Sequence, residues 1–192
     1  MTTASTNMGL FPLNLVLLPG EHLPLHIFEH RYRALVADCT LEGRAFVLPL
    51  ATSEGVAKYA CSATVHRVEH RFADGRMNIV VRGHERIAIV AKTDGEPYVT
   101  ADVRPVPDMA PQLDPARVDQ VIDRFRTLSE SLAGEPIDPP ADDGIPLSYR
   151  IAGTMQLPNG TKQRLLEERS EHARLDIIDS IIELALTTTE DS

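Results

Sequence analysis

Histidines, cysteines and a crowd of arginines are the side chains of this chain best suited to chemistry. Six of the seven histidines fall in the first half, with His26 and His30 four apart and His66 and His70 likewise. On a helix, that spacing with a third ligand can hold zinc. His66 to His70 lies in a run with strand periodicity, where four residues span roughly 13 Å, too far for one ion to bridge. His26 reads as a strand end and His30 as a helix start, and neither pair belongs to an HExxH motif. No metal site is expected. Cys39 falls on the apolar face of a helix and reads as a small buried residue rather than a nucleophile. Cys61 has no evident base beside it. The two are far apart without CxxC spacing, so no disulfide framework is implied. The carboxylates of the second half fall on polar helix faces or in loops, whereas acid–base work needs two in one cleft with distinct environments. There is no GxxxxGK[ST] phosphate loop, no GxSxG nucleophile elbow and no dinucleotide fingerprint within Gly9–Gly20 or Gly153–Gly160. No catalytic set is read from these residues, and no cofactor and no ATP are expected.

Charge narrows the partners. Residues 1–108 hold 11 Lys/Arg against 12 Asp/Glu, while residues 109–192 hold 8 against 16, so most of the net −9 sits in the second half. An acidic half disfavours nucleic acid and anionic membrane as partners. Arg67, Arg71, Arg76, Arg82 and Arg86 crowd one stretch and read as solvated strand and turn residues. The polar start, Met1 to Gly9, does not resemble a signal peptide. No apolar run approaches the roughly 20 residues that span a bilayer. A reducing cytoplasm is the expected location.

The elements that carry these residues change character midway. Leu10 to Leu18 is apolar and reads as extended, turned by Pro19-Gly20. Leu23, Leu25 and Ile27 alternate with Pro24 and His26, which is strand periodicity. From Glu29 the period becomes helical: Tyr32, Leu35, Val36 and Cys39 share one face, and Gly43 stops it. Ala45 to Leu50 reads as a strand and Thr52 to Lys58 as a loop. Ala60 to Phe72 is extended, Asp74-Gly75 is a hairpin signal, and Met77 to Arg82 returns until Gly83-His84 breaks the run. Further alternation, a turn at Asp94-Gly95 and a strand over Tyr98 to Val106 bring the count to about six strands, which suggests a small closed or nearly closed sheet. After a proline-rich linker, Asp114-Pro115 is a helix start. Val118, Val121, Ile122, Phe125, Leu128 and Leu132 keep one face as far as Gly134. Leu147, Ile151 and Met155 suggest a short helix. Thr161 can cap the next, and Ser170 the last and longest, whose wide apolar stripe runs from Leu175 through Ile182 to Ala185. The fold class is α+β, with residues 9–107 as a β lobe containing one helix, 108–114 as a linker and 115–187 as a helical bundle lobe.

The string LFPLNLVLLPGEHLPLHIFEHRYRALVADC, Leu10 to Cys39, resembles the opening of the Lon protease N-terminal domain, the LON substrate-binding domain family. ADGRMNIVVRGHERIAIV, EPYVTADV and QRLLEERSEHARLDIIDSIIELAL resemble that family's hairpin, following strand and helical end, so the resemblance covers residues 9–187. His30 stands where the family has proline, and Leu18 where it has an aromatic. The resemblance implies a PUA-like β pseudo-barrel followed by helices. It also implies a non-catalytic module that recognises unfolded or partner polypeptide, here without the ATPase and the peptidase. The expected contact residues are Leu17, Leu18 and Pro19 in the loop with Phe28 and Tyr32 nearby. The competing reading makes Phe28 and Tyr32 core residues joining strand to helix, and buries Leu18. Three other functions compete: an RNA-binding PUA-like module, a regulatory partner of a separate protease, and a hydrolase. The sequence leaves oligomerisation open.

Overall fold

A computed structural model describes residues 5–95, 97–110 and 113–190, and the side chains of all of these but 189 and 190. Residues 1–4 of the polar start, Glu96, and Pro111 and Gln112 of the expected linker lie outside the described residues. The chain divides into two compact units, one up to Val106 and one from Pro107.

The first unit is a sheet with one helix. Its strands are β1 (Thr6–Gly9), β2 (His22–Ile27), β3 (Phe46–Leu48), β4 (Ala51–Thr52), β5 (Gly55–Val56), β6 (Tyr59–Arg71), β7 (Met77–Thr93) and β8 (Thr100–Pro105), with helix α1 (His30–Glu42) between β2 and β3. The main sheet runs β1-β8-β7-β6-β3, with β2 paired antiparallel to the start of β7. Bridges from Leu10 to Val47 and from Leu13 to Leu50 draw the two ends of that path together. Leu10 to Leu18 therefore makes bridges rather than a full strand, and its apolar side chains serve the core. The segment Thr52–Lys58, read as a loop, contains the small β4–β5 ribbon.

Gly83 does not break the strand. β7 runs through it, because the residue lies beneath the Leu17–Leu18 turn: a Cβ there would stand 2.3 Å from the Leu18 carbonyl oxygen. Only the absence of a side chain lets the two backbones approach, and the Gly83 amide donates to Glu21 O at 2.9 Å.

Alternation sorts the residues of β2. Leu23 and Leu25 pack partly buried against a core that includes Ile27, Leu35, Phe46, Ile79 and Val81, while His22, Pro24 and His26 face solvent. Helix α1 buries Tyr32, Leu35, Val36 and Cys39, the face expected, and ends at Gly43.

The second unit contains α2 (Pro115–Ala133), α3 (Leu147–Ala152), α4 (Asn159–Glu167) and α5 (Glu171–Glu190). Asp114 caps α2, accepting from the Ala116 amide at 3.0 Å, and Ser170 Oγ accepts from the Ala173 amide at the start of α5. Val121, Phe125 and Leu128 are buried on α2, but Leu132, at 70% exposed, has turned out of the core as the helix ends. Leu184 is likewise exposed on α5. Helix α4 begins after Pro158, two residues before Thr161, and has no side-chain cap. Met155 lies beyond the end of α3.

Buried Arg174 and Glu171 pair with each other, and Arg174 also reaches the exposed Asp108. The Arg174 guanidinium is fully buried and donates to Ser148 Oγ, to Glu171, to Asp108 and to the Glu168 carbonyl, with the Tyr149 ring 4.5 Å away. A buried cation is tolerable only when its donors are met in this way.

Candidate functional site

Strand register assembles the most distinctive surface of the first unit. β7 lies between β2 and β6, so residues of the three strands fall into rungs: His26, Asn78 and His70; Pro24, Val80 and Arg67; His22, Arg82 and Thr64. Register shifts in β6 between Val65 and Arg67 and between Val68 and His70 keep these rungs in phase. The alternates Ile79 and Val81 are core, and the rungs lie on the other face, where Val80 is buried while His22, Pro24, His26, Arg67 and His70 are exposed.

Imidazoles and phenyl rings meet at one end of that face. His26 Nδ1 lies 2.6 Å from Asn78 Oδ1. The His26 ring stacks with Phe28 at 6.1 Å and meets Phe72 edge-on at 5.9 Å, and His70 meets Phe72 edge-on at 4.4 Å. Further along, His22 and His66 meet edge-on at 4.7 Å. Phe28 is 61% exposed, an unusual position for a phenylalanine beside a second aromatic. Arg76 lies over Phe72 at 5.3 Å and pairs with Asp74 at 2.7 Å. The Arg76 amide and guanidinium hold the Asp74 carboxyl below the usual carboxylate range. Arg33 of α1 donates to the Asp74 carbonyl at 2.7 Å and fixes the hairpin turn.

The residues expected to bind peptide do not come together at the surface. Leu17, Leu18 and Pro19 are buried. Their loop is held by the Leu18 amide donating to Glu21 Oε2 at 2.9 Å and the Gly20 amide donating to Gly83 O at 3.0 Å. Tyr32 is buried as well, stacked on Phe11 at 4.1 Å, and burial raises its hydroxyl pKa. Of the five, Phe28 alone presents its side chain to solvent. Arg86 also departs from expectation: it is buried, donating to the Val106 carbonyl at 3.0 Å, while Arg67, Arg71 and Arg76 are exposed.

Other candidates are weaker. A cavity of about 150 Å³ between β1, α1 and β8 is lined by Met8, Cys39, Arg44, Tyr98 and Thr100. Burial and the neighbouring Asp38 push the Tyr98 hydroxyl up to about 12, and burial pushes the Cys39 thiol up to about 11, so neither supplies a nucleophile near neutral pH. Burial pushes the Cys61 thiol up further. An open groove between α4 and α5 mixes Arg164, Glu168 and Asp176 with Ile177 and Ile181. No group of three metal-ligating side chains occurs among the described residues. No helix among them is long and apolar enough to cross a membrane.

A bridged sheet carrying one helix, followed in the chain by a helical unit, is the α+β architecture of the described residues. The chain belongs to the ATP-dependent protease La (LON) substrate-binding domain family, whose model matches residues 7–183. It is similar to the Lon N-terminal domain protein from Xanthomonas campestris, at 27% identity and a TM-score of 0.67 over 89% of this chain and 95% of that one. The N terminal domain of the Mycobacterium avium complex Lon protease shares the fold at 19% identity, with a TM-score of 0.73 over 93% of this chain and 98% of the other.

The rung of His26, Asn78 and His70, capped by Phe28 and Phe72, was not found by sequence reasoning. Local spacing sets His26 with His30 and His66 with His70 instead. The available signal was the Asp74-Gly75 hairpin, which sets His70 and Asn78 near one another across its turn.

Proposed function

We propose that this protein is a polypeptide-binding module that acts without catalysis and docks unfolded or partner chains on the outer face of β2, β7 and β6. The single observation that carries the reading is Phe28, largely exposed just after β2 and stacked with His26, which in turn meets Phe72. Solitary exposed apolar side chains are ordinary, but a grouped aromatic patch is a recognition feature. Leu41 and Val90 are also exposed, but Phe28 stacks with His26, so Phe28 is the better anchor. Family membership supports the same reading, since the family is defined as a substrate-binding domain.

The test is binding of a reduced, denatured polypeptide to the protein and to Phe28→Ala. Because Phe28 lies outside the core, the variant should melt within a few degrees of the parent. Its affinity should fall by about 1–2 kcal/mol, the scale of a truncated aromatic anchor. Unchanged affinity in a folded variant would remove this face from the function.

A further inference from the structure

We propose that docking on this face is gated by protons: neutral imidazoles admit an apolar polypeptide segment, and protonated ones release it. The inference rests on the polypeptide-binding reading above and adds the regulation of that same site. Where the histidines fall carries it. Five of the seven, His22, His26, His66, His70 and His84, gather on the outer face of β2, β7 and β6, and all five are exposed. Register sets His26 and His70 on one rung across Asn78, and His22 on the rung of Arg82 and Thr64. The His66 ring meets that of His22 at 4.7 Å, and His84 Nε2 lies 2.7 Å from Thr64 Oγ1. The other two histidines are elsewhere, His30 in α1 and His172 in α5. Histidine is the side chain whose charge ordinarily changes between about pH 5 and pH 8.

The anchor stands inside this cluster. Phe28 stacks with His26 at 6.1 Å, and Phe72 meets both His26 and His70 edge-on. A segment packed on Phe28 covers His26 as well. Covering an imidazolium strips water from a charge, whereas covering a neutral imidazole does not. The Asn78 Oδ1 atom only accepts, so His26 donates to it from Nδ1, and in the neutral ring Nε2 remains an acceptor for a ligand amide. Protonation removes that acceptor. It also sets like charges together, because His22 and His66 are in ring contact and Arg76 already holds a cation over Phe72 at 5.3 Å. The neighbouring carboxylates are occupied. Glu69, Asp74 and Glu29 are bonded to Arg67, Arg76 and Arg31 at 2.8, 2.7 and 2.8 Å, and Glu21, beside His22 in the chain, accepts from the Leu18 amide. Desolvation and the Arg82 guanidinium hold the His84 imidazole below the usual histidine range, against the pull of Glu85. Attraction between a protonated His26 and the Phe28 ring is present in the empty face too, so it does not favour the bound state.

The experiment is fluorescence anisotropy of the whole chain with a synthetic ~15-residue peptide that has a Phe-Leu centre, Ser/Gly flanks, blocked ends and no titrating group of its own. One proton displaced from an ordinary imidazole weakens binding about tenfold between about pH 7.5 and about pH 5.5, and two displaced protons weaken it further. The parent should therefore lose at least that factor on acidification while circular dichroism shows it folded at both pH values. His26→Gln combined with His70→Gln, two exposed positions, should lose most of the pH dependence, and His172→Gln should keep all of it. Calorimetry of the parent near pH 6.5, in two buffers of different ionisation enthalpy, should show protons released on binding, a readout that needs no variant. Equal affinity at the two pH values, tighter binding in acid, or binding without proton release overturns the gating and leaves polypeptide binding standing. Full pH dependence in the His26/His70 double variant overturns the assignment to this cluster. Absence of binding by the parent at pH 7.5 overturns both readings.

Discussion

Leu18 and Phe28 divide what a single residue does in this protein. Both are apolar and both lie in the stretch with the strongest family pattern. Leu18 is fully buried, whereas Phe28 stands in solvent beside His26. Leu18→Asp should therefore destabilise the fold by about 3 kcal/mol or more, combining lost packing with a buried unpaired charge. Thermal or urea denaturation measures this, and an unchanged melting point would mean that the loop leaves the core readily. The expectation that Leu17, Leu18 and Pro19 form a contact surface arose because apolar residues at a turn are unusual. Their burial depends on Gly83, more than sixty positions away, and local pattern has no access to such a partner. The same limit hid Arg174. Its burial rests on Asp108, Glu171 and Ser148, which accept its hydrogen bonds from elsewhere in the chain.

Elements were more legible than side-chain environments. The buried face of α1 follows from its 3.6-residue period, and Asp114 and Gly134 bound α2 as capping chemistry requires. β6 and β7 were recognised as a hairpin from Asp74-Gly75, whose Gly75 adopts φ 85°. What remained illegible was the interstrand register, because two bulges in β6 shift each residue beyond them relative to simple alternation. The candidate site exists only in that register. Gly83 is the element-scale test of it. Gly83→Ala should cost about 1–3 kcal/mol, since the new methyl would have to displace the Leu18 carbonyl or the Cys61 sulfur. Gly160→Ala in α4, where nothing lies within 4 Å, should be neutral or slightly stabilising. Paired denaturation curves distinguish the two, and equal effects would contradict the close approach at Gly83.

As a whole the molecule pairs a sheet unit near charge balance with an acidic helical unit, and it belongs to a family of substrate-binding domains. The surface proposed for docking is the outer face of β2, β7 and β6. The competing surface is the open groove of α4 and α5, where both signs of charge flank Ile177 and Ile181. The measurement that most directly separates the two is hydrogen–deuterium exchange with and without a bound unfolded polypeptide. Protection is expected over residues 22–28, 64–72 and 76–82, the three segments that build the outer face. Protection over residues 161–181 instead, with the sheet unaffected, would contradict the account.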